Sequence, residues 1–152
     1  MDTKKSIAIG WFIGIVSSFF LLFLFSKIFL PVPQTKVEVS EEAVFTVIND
    51  YRTSVGKIRF KKSERLCDWG KIRLYEVKRD WSHNGFDPER VCILEGCHLG
   101  EVLTRDIESA NEAVEAWLNS KTHKEILDWD FEWGCIIAED GYVVGEFGTF
   151  WK

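Results

Sequence analysis

The sequence predicts an α+β domain set behind a membrane-spanning helix, on three observations. Residues 6–26 carry no charge and are dense in Ile, Phe and Leu, and about 20 such residues cross a bilayer as a helix. Later stretches repeat apolar residues at helical spacing behind a capping residue. The chain then closes with two β-rich runs, residues 135–138 and 142–147, joined by Glu139-Asp140-Gly141, a good hairpin signal. Helices interleaved with a terminal hairpin predict a sheet covered by helices.

Residues 1–30 read as a short cytoplasmic stub and an uncleaved signal anchor. Lys4 and Lys5 precede the apolar run, so the positive-inside tendency leaves the N-terminus in the cytoplasm and the rest of the chain outside. Lys27 can snorkel at the far interface. A cleaved signal peptide is the rival, but its apolar region is only about 7–15 residues long, and no small-x-small site follows. Residues 31–40 form a linker, stiffened by Pro31 and Pro33, and residues 41–152 form the domain.

Ser40 is an N-cap, with Glu41 and Glu42 in the first turn, where negative charge suits the helix dipole. Val44, Val47, Ile48 and Tyr51 make the buried stripe and Gly56 the stop. Ile58 and Phe60 anchor a connection. Ser63 opens a second helix carrying Leu66, Trp69, Gly70, Arg73, Leu74 and Val77 at helical intervals. Gly70 costs about 1 kcal/mol of propensity relative to Ala, which marks a point of close helix packing. The stretch 81–86 and a polar loop through Arg90 follow, and residues 91–94 read as a short strand.

Ser109 to Leu127 is the most ordered stretch in the sequence. Ser109-Ala110-Asn111-Glu112 has capping-box spacing, in which the glutamate reaches back to the serine amide. Ala110, Ala113, Val114, Trp117 and Leu118 recur behind it at helical spacing. Asn119 and Ser120 end that helix. Thr122-His123-Lys124-Glu125 repeats the capping arrangement and opens a shorter helix, leaving His123 in its first turn. Trp129, Phe131 and Trp133 alternate with acids at period two, as in an edge strand showing aromatics on one face, packed core or a ligand-facing lip.

Charge narrows the partners. The net charge is −5; without the three Lys and one Asp of residues 1–30, 16 basic and 23 acidic side chains remain. Such a domain repels phosphate backbones and anionic lipid, so no nucleic-acid partner is expected, and Lys61-Lys62 reads as a solvated face. Four cysteines, Cys67, Cys92, Cys97 and Cys135, fit an oxidising compartment and allow three full pairings. Their short spacing favours a local Cys92–Cys97 bridge. Zinc held by Cys92, Cys97 and His98 is the alternative, although no matching second pair exists.

His83, Glu101 and His123 fall in three separate turns or element starts. Imidazole and carboxylate groups converging on one cleft can bind a divalent metal or perform acid–base chemistry, or they can hold three segments together as a polar cluster. No Ser or Cys nucleophile motif and no phosphate loop is present. Ser120, three residues before His123, can reach it across the turn or cap the helix.

The order of several motifs carries a resemblance. Asn49-Asp50-Tyr51-Arg52 comes first, then Leu66, Gly70 and Arg73-Leu74, then Ser82-His83-Asn84-Gly85-Phe86 and Gly100-Glu101-Val102-Leu103. Residues 117–127, Gly134-Cys135-Ile136 and residues 142–148 complete the series. Over about residues 44–149 the chain resembles the CAP superfamily (cysteine-rich secretory proteins, antigen 5, pathogenesis-related 1), also called the SCP domain, in its bacterial branch. The resemblance implies a three-layer α-β-α sandwich with a surface cleft, in which two His and two acidic residues hold a divalent cation such as zinc. It matches His83 and His123 to the two histidines and Glu101 to one acid. Ser120 stands in place of the second acid, and Val102 in place of the usual Asn. Zinc at His83, Glu101 and His123 would then keep an open position. The resemblance further implies a module binding a lipid, glycan or protein rather than an enzyme; the alternative is a metal-assisted hydrolase of peptidase or esterase type, with Glu101 as general base.

Overall fold

The computed structural model describes residues 39–92 and 97–150. The expected membrane span lies outside them, and among the described residues no helix is long and apolar enough to cross a membrane.

Ser40 caps helix α1 (Glu41–Ser54), accepting from the Ala43 amide. The helix buries Val44 and Ile48 as the stripe predicts, and Gly56, with φ +76°, follows it. Two polar residues of the same helix are also buried, and they bind the backbone that passes beneath. Asn49 donates to the Phe60 carbonyl at 3.2 Å and accepts from its amide at 2.6 Å, so its side chain stands in for a strand neighbour. Arg52 donates to the carbonyls of Ile58, Leu127, Trp129 and Phe131 at 2.5–3.3 Å, tying two distant stretches of chain to one guanidinium.

Strand β1 (Lys61–Lys62) leads into helix α2 (Glu64–Arg79), capped by Ser63. After a 3-10 turn at Pro88–Arg90 come strand β2 (His98–Thr104), helix α3 (Ala110–Leu118), helix α4 (Lys121–Asp128) and the hairpin of β3 (Trp133–Glu139) and β4 (Tyr142–Thr149). The strand order is β1-β3-β4-β2, with β1 parallel to β3 and the other pairs antiparallel. Asp140 and Gly141 both take positive φ (54° and 82°), as a two-residue hairpin turn requires.

The sheet has an apolar core on each face. On one side Leu66, Trp69, Leu74 and Val77 of α2 meet Leu103, Ile137 and Val144. On the other, residues of α1, α3 and α4, among them Ile48, Trp117 and Leu127, meet Val102, Ile136 and Phe147. The result is the expected α-β-α arrangement. Cys67–Cys135 fastens α2 to β3, and Cys92–Cys97 closes a short loop. That second bridge removes the thiolates a zinc site at Cys92, Cys97 and His98 needs.

Five local expectations differ. Gly70 packs against the sheet rather than a helix: a Cβ there would lie 2.9 Å from Ile137 Cγ1. Val91 sits in the turn after the 3-10 turn, its amide bonded to the Pro88 carbonyl at 3.1 Å, instead of starting a strand; residues 93–96 lie outside the described set. Glu112 accepts from the amide of Glu108 at 2.8 Å, one residue beyond the Ser109 amide of a standard box, while Ser109 accepts from Glu112 as expected. Helix α4 begins at Lys121, so Thr122 lies inside the first turn and caps nothing. The aromatic alternation also fails as a single face. Only Trp133 is in a strand; Phe131 is buried and Trp129 is 58% exposed, because Arg52 pulls the preceding carbonyls inward.

Candidate ligand cleft at the open edge of strand β2

The cleft is built around a buried arginine. Arg73 lies on the sheet-facing side of α2, 1% exposed, and its guanidinium extends to Glu101 on the edge strand β2. Its Nε donates to Glu101 Oε2 at 2.6 Å and its Nη2 to Glu101 Oε1 at 3.1 Å, the bidentate fork that guanidinium and carboxylate favour. Nη2 also reaches the Ser82 carbonyl at 3.2 Å and Nη1 pairs with Glu76, which Arg90 holds from outside at 3.0 Å. The loop at 82–86 is thereby fastened to α2. Gly85 makes this approach possible: a Cβ there would lie 2.2 Å from Arg73 Nη1. The Ser82-His83-Asn84-Gly85 stretch is shaped by the guanidinium it wraps.

His83 is aimed by that frame. Its Nδ1 lies 2.8 Å from Glu101 Oε1. A carboxylate only accepts, so Nδ1 carries the proton and Nε2 presents a lone pair when the ring is neutral. His123, the third residue of α4, comes from the opposite face of the sheet, and its Nε2 is 3.3 Å from His83 Nε2. The ring centroids are 5.5 Å apart. The imidazoles meet around the open edge of β2, with half of the His83 side chain exposed.

Electrostatics divides the site into fixed and titratable parts. Burial pushes the Glu101 carboxyl up, but hydrogen bonds from His83 and Arg73 and the arginine charge outweigh it and hold Glu101 below the ordinary glutamate value. Burial, then repulsion from His83, lowers His123 despite the attraction of Glu101, which favours a neutral imidazole. Opposite Glu101 in the sheet register stands Glu146 on β4, 1% exposed. No N–H or hydroxyl among the described residues reaches either of its oxygens. Burial and the Glu101 charge raise it well above the usual range, against the opposing charge of Arg73, and so favour the neutral acid.

The three sequence-predicted residues His83, Glu101 and His123 therefore come together. Ser120 does not join them by hydrogen bonding: it is the N-cap of α4, its hydroxyl makes no capping bond and none reaches His123. The sequence reading missed Arg73, Glu76 and Glu146 as parts of the site. An arginine in an otherwise apolar helical stripe, and a glutamate inside the strand Val143-Val144-Gly145-Glu146-Phe147, were the available signals.

A divalent cation fits this donor set in part. Tetrahedral zinc with bonds of about 2.0–2.1 Å separates two ligand nitrogens by roughly 3.3–3.4 Å, the spacing of the two Nε2 atoms. Glu101 is not a free third ligand, since both oxygens are engaged by Arg73 and His83; it takes the carboxylate role behind a ligating histidine. Among the described residues no group of three or more His, Cys, Asp or Glu forms a metal cluster. The remaining positions would fall to water or a ligand.

The architecture is that of the SCP domain. It superimposes on a cysteine-rich secretory protein from Staphylococcus aureus (TM-score 0.63, 16% identity, 79% of this chain and 41% of that one). It matches equally an extracellular protein containing an SCP domain from Bacillus anthracis (TM-score 0.62, 18% identity, 70% of this chain and 39% of that one). This chain thus spans about two fifths of the length of those two proteins. An outer surface protein of Borrelia burgdorferi matches at TM-score 0.61 and 22% identity, over 71% of this chain and 90% of that one. Comparison of the sequence with protein-family models and with curated proteins finds no significant match.

Proposed function

We propose that this protein is a single-pass membrane protein whose SCP-type domain stands outside the cytoplasm as a binding module for a lipid, glycan or protein ligand. Its cleft is centred on His83 and His123, which can hold zinc or a similar divalent cation. The observation that carries this reading is the 3.3 Å approach of two imidazoles from opposite faces of the sheet, one of them oriented by a buried Arg73–Glu101 pair. Arg73 and Glu101 orient, His83 and His123 offer lone pairs, and the open edge admits solvent. A bound cation would supply a Lewis-acidic contact for an anionic or carbonyl group of the ligand. The uncharged run at residues 6–26, preceded by Lys4 and Lys5, supports the anchor and its orientation. Glu101 is buried and held as a weak base, so no feature of the geometry favours the hydrolase alternative.

Calorimetric titration of the full chain with zinc tests the metal part. The unsubstituted protein is expected to bind, and His83→Ala and His123→Ala each to abolish binding. Equal binding in all three, or none in the unsubstituted chain, would remove the cation from the account.

A further inference from the structure

Beside the imidazole pair, between the start of β2 and helix α4, lies a groove of about 340 Å³ lined by Leu99, Thr122, Glu125, Ile126, Trp129 and Phe131 together with His98. We propose that this groove binds an extended basic peptide, which pairs its backbone with the β2 edge at Leu99 and lays a lysine or arginine side chain on Trp129 toward Glu125. The proposal deepens the reading of this cleft as a binding site and does not depend on the cation.

The backbone argument comes from the sheet register. The Glu132 and Gly134 carbonyls accept from Lys61 and Ser63 on the β1 side, so the odd-numbered residues of β3 face β4. Trp133 pairs with Gly148 and Cys135 with Glu146, which turns the odd-numbered residues of β4 toward β2. Those residues pair with His98, Gly100, Val102 and Thr104. Leu99, Glu101 and Leu103 are left with backbone groups pointing away from the sheet, and no described residue bonds to them. Unpaired backbone groups at a sheet edge are a template for another strand. At Glu101 the imidazoles roof the edge; at Leu99 it opens into the groove. The Leu99 side chain packs into the α2-side core, so what it gives the groove is its backbone.

The side-chain argument comes from Trp129. It is 58% exposed yet fixed: its carbonyl accepts from Arg52 at 2.9 Å, its amide donates to the Ile126 carbonyl at 3.2 Å, and its ring stacks on Phe131 at 6.1 Å. The floor is closed, because Ile126 and Phe131 press on Gly100, where a Cβ would meet them at 2.8 and 3.0 Å. A rigid indole face with a carboxylate at its rim suits an organic cation. Glu125 is available for one: its only ion-pair partner among the described residues, Lys121, is 4.0 Å away and both side chains are exposed. The acidic balance of the chain adds long-range attraction for a basic ligand.

The test is fluorescence anisotropy of the full chain in detergent micelles with a labelled short peptide of alternating threonine and valine around one central arginine. Trp129→Ala is expected to weaken binding about two- to fivefold, Glu125→Gln by up to about fivefold, and methylation of the peptide's central amide by up to about tenfold. The methylated peptide leaves the protein untouched, so a misfolded variant cannot produce that result. Equal binding of a peptide with glutamate in place of arginine, indifference to methylation, or displacement of the peptide by a neutral disaccharide would each overturn the proposal. Chelation by EDTA should remove zinc and leave peptide binding unchanged. Zinc binding without peptide binding overturns the peptide alone, and peptide binding without zinc overturns the cation alone.

Discussion

Replacing Arg73 by Leu keeps most of the bulk under α2 and removes the charge that compensates Glu101. The guanidinium makes the two bonds to Glu101, one to the Ser82 carbonyl and the pair with Glu76, and both Arg73 and Glu101 side chains are 1% exposed. Breaking a buried pair by removing one partner costs about 3–5 kcal/mol, because the other charge stays buried without a partner. At about 4 °C of melting temperature per kcal/mol for a domain near 100 residues, the expected loss is about 12–20 °C by calorimetry or circular dichroism at pH 7. The pH dependence has a definite sign. In the native protein Glu101 is held below its unfolded value. Its contribution is therefore present above the ordinary glutamate value, about 4.3, and is lost as pH falls through the folded value. Without Arg73 the carboxyl rises instead, so the gap between variant and parent should narrow as the solution is acidified toward pH 4. A second substitution, Glu101→Leu, should recover part of the loss. A melting shift under about 3 °C, or a double variant that merely sums the two single losses, would refute the buried-pair reasoning.

Other outcomes follow from the same frame. Glu146 is raised far above its ordinary value, so its native environment favours folding fully below about pH 4.3 and loses that advantage as pH rises through the folded value. Glu146→Gln should match the parent near pH 4 and be the more stable of the two at alkaline pH, by urea denaturation at several pH values. Cys67→Ser/Cys135→Ser opens a loop with sequence separation 68 and should cost about 4 kcal/mol; Cys92→Ser/Cys97→Ser, with separation 5, should cost about 2. Glu101→Gln weakens the orienting contact behind His83 and should lower zinc affinity about 10–100-fold, read by competition with a chelating dye. Gly85→Ala should displace the Arg73 guanidinium and lower the melting temperature although the residue sits in a surface turn, because its Cβ would stand 2.2 Å from Nη1.

How far the fold could be read from the sequence differs from element to element for physical reasons. The helices at Glu41, Glu64 and Ala110 announce themselves through local chemistry: Ser40, Ser63 and Ser109 each accept from the amide three residues on. The hairpin is as plain, since Asp140-Gly141 supplies the two positive-φ positions the turn needs. The residues of 129–133 mislead because their conformation is fixed from a distance. Arg52, about 77 positions away in sequence from Trp129, captures its carbonyl, and no local period records that. The cleft shows the same split. His83, Glu101 and His123 stand out as polar residues in turns and at element starts, whereas Arg73 and Glu146 hide in apolar patterns, one in a helical stripe and the other in a valine-rich strand. Their role arises only when α2 packs across β3 and β4, bringing together groups 28 residues apart at Arg73 and Glu101 and a carboxylate from the strand beside β2.

The claim on which the cleft rests is that His83 and His123 turn Nε2 toward one shared point, and nitrogen NMR of the imidazoles reads this directly. The chain has three histidines, so His98, outside the pair, serves as an internal control. Adding zinc to the labelled full chain should move the Nε2 resonances of His83 and His123 together while His98 stays in place. Movement of His98 alone, or of neither paired ring, would contradict the account.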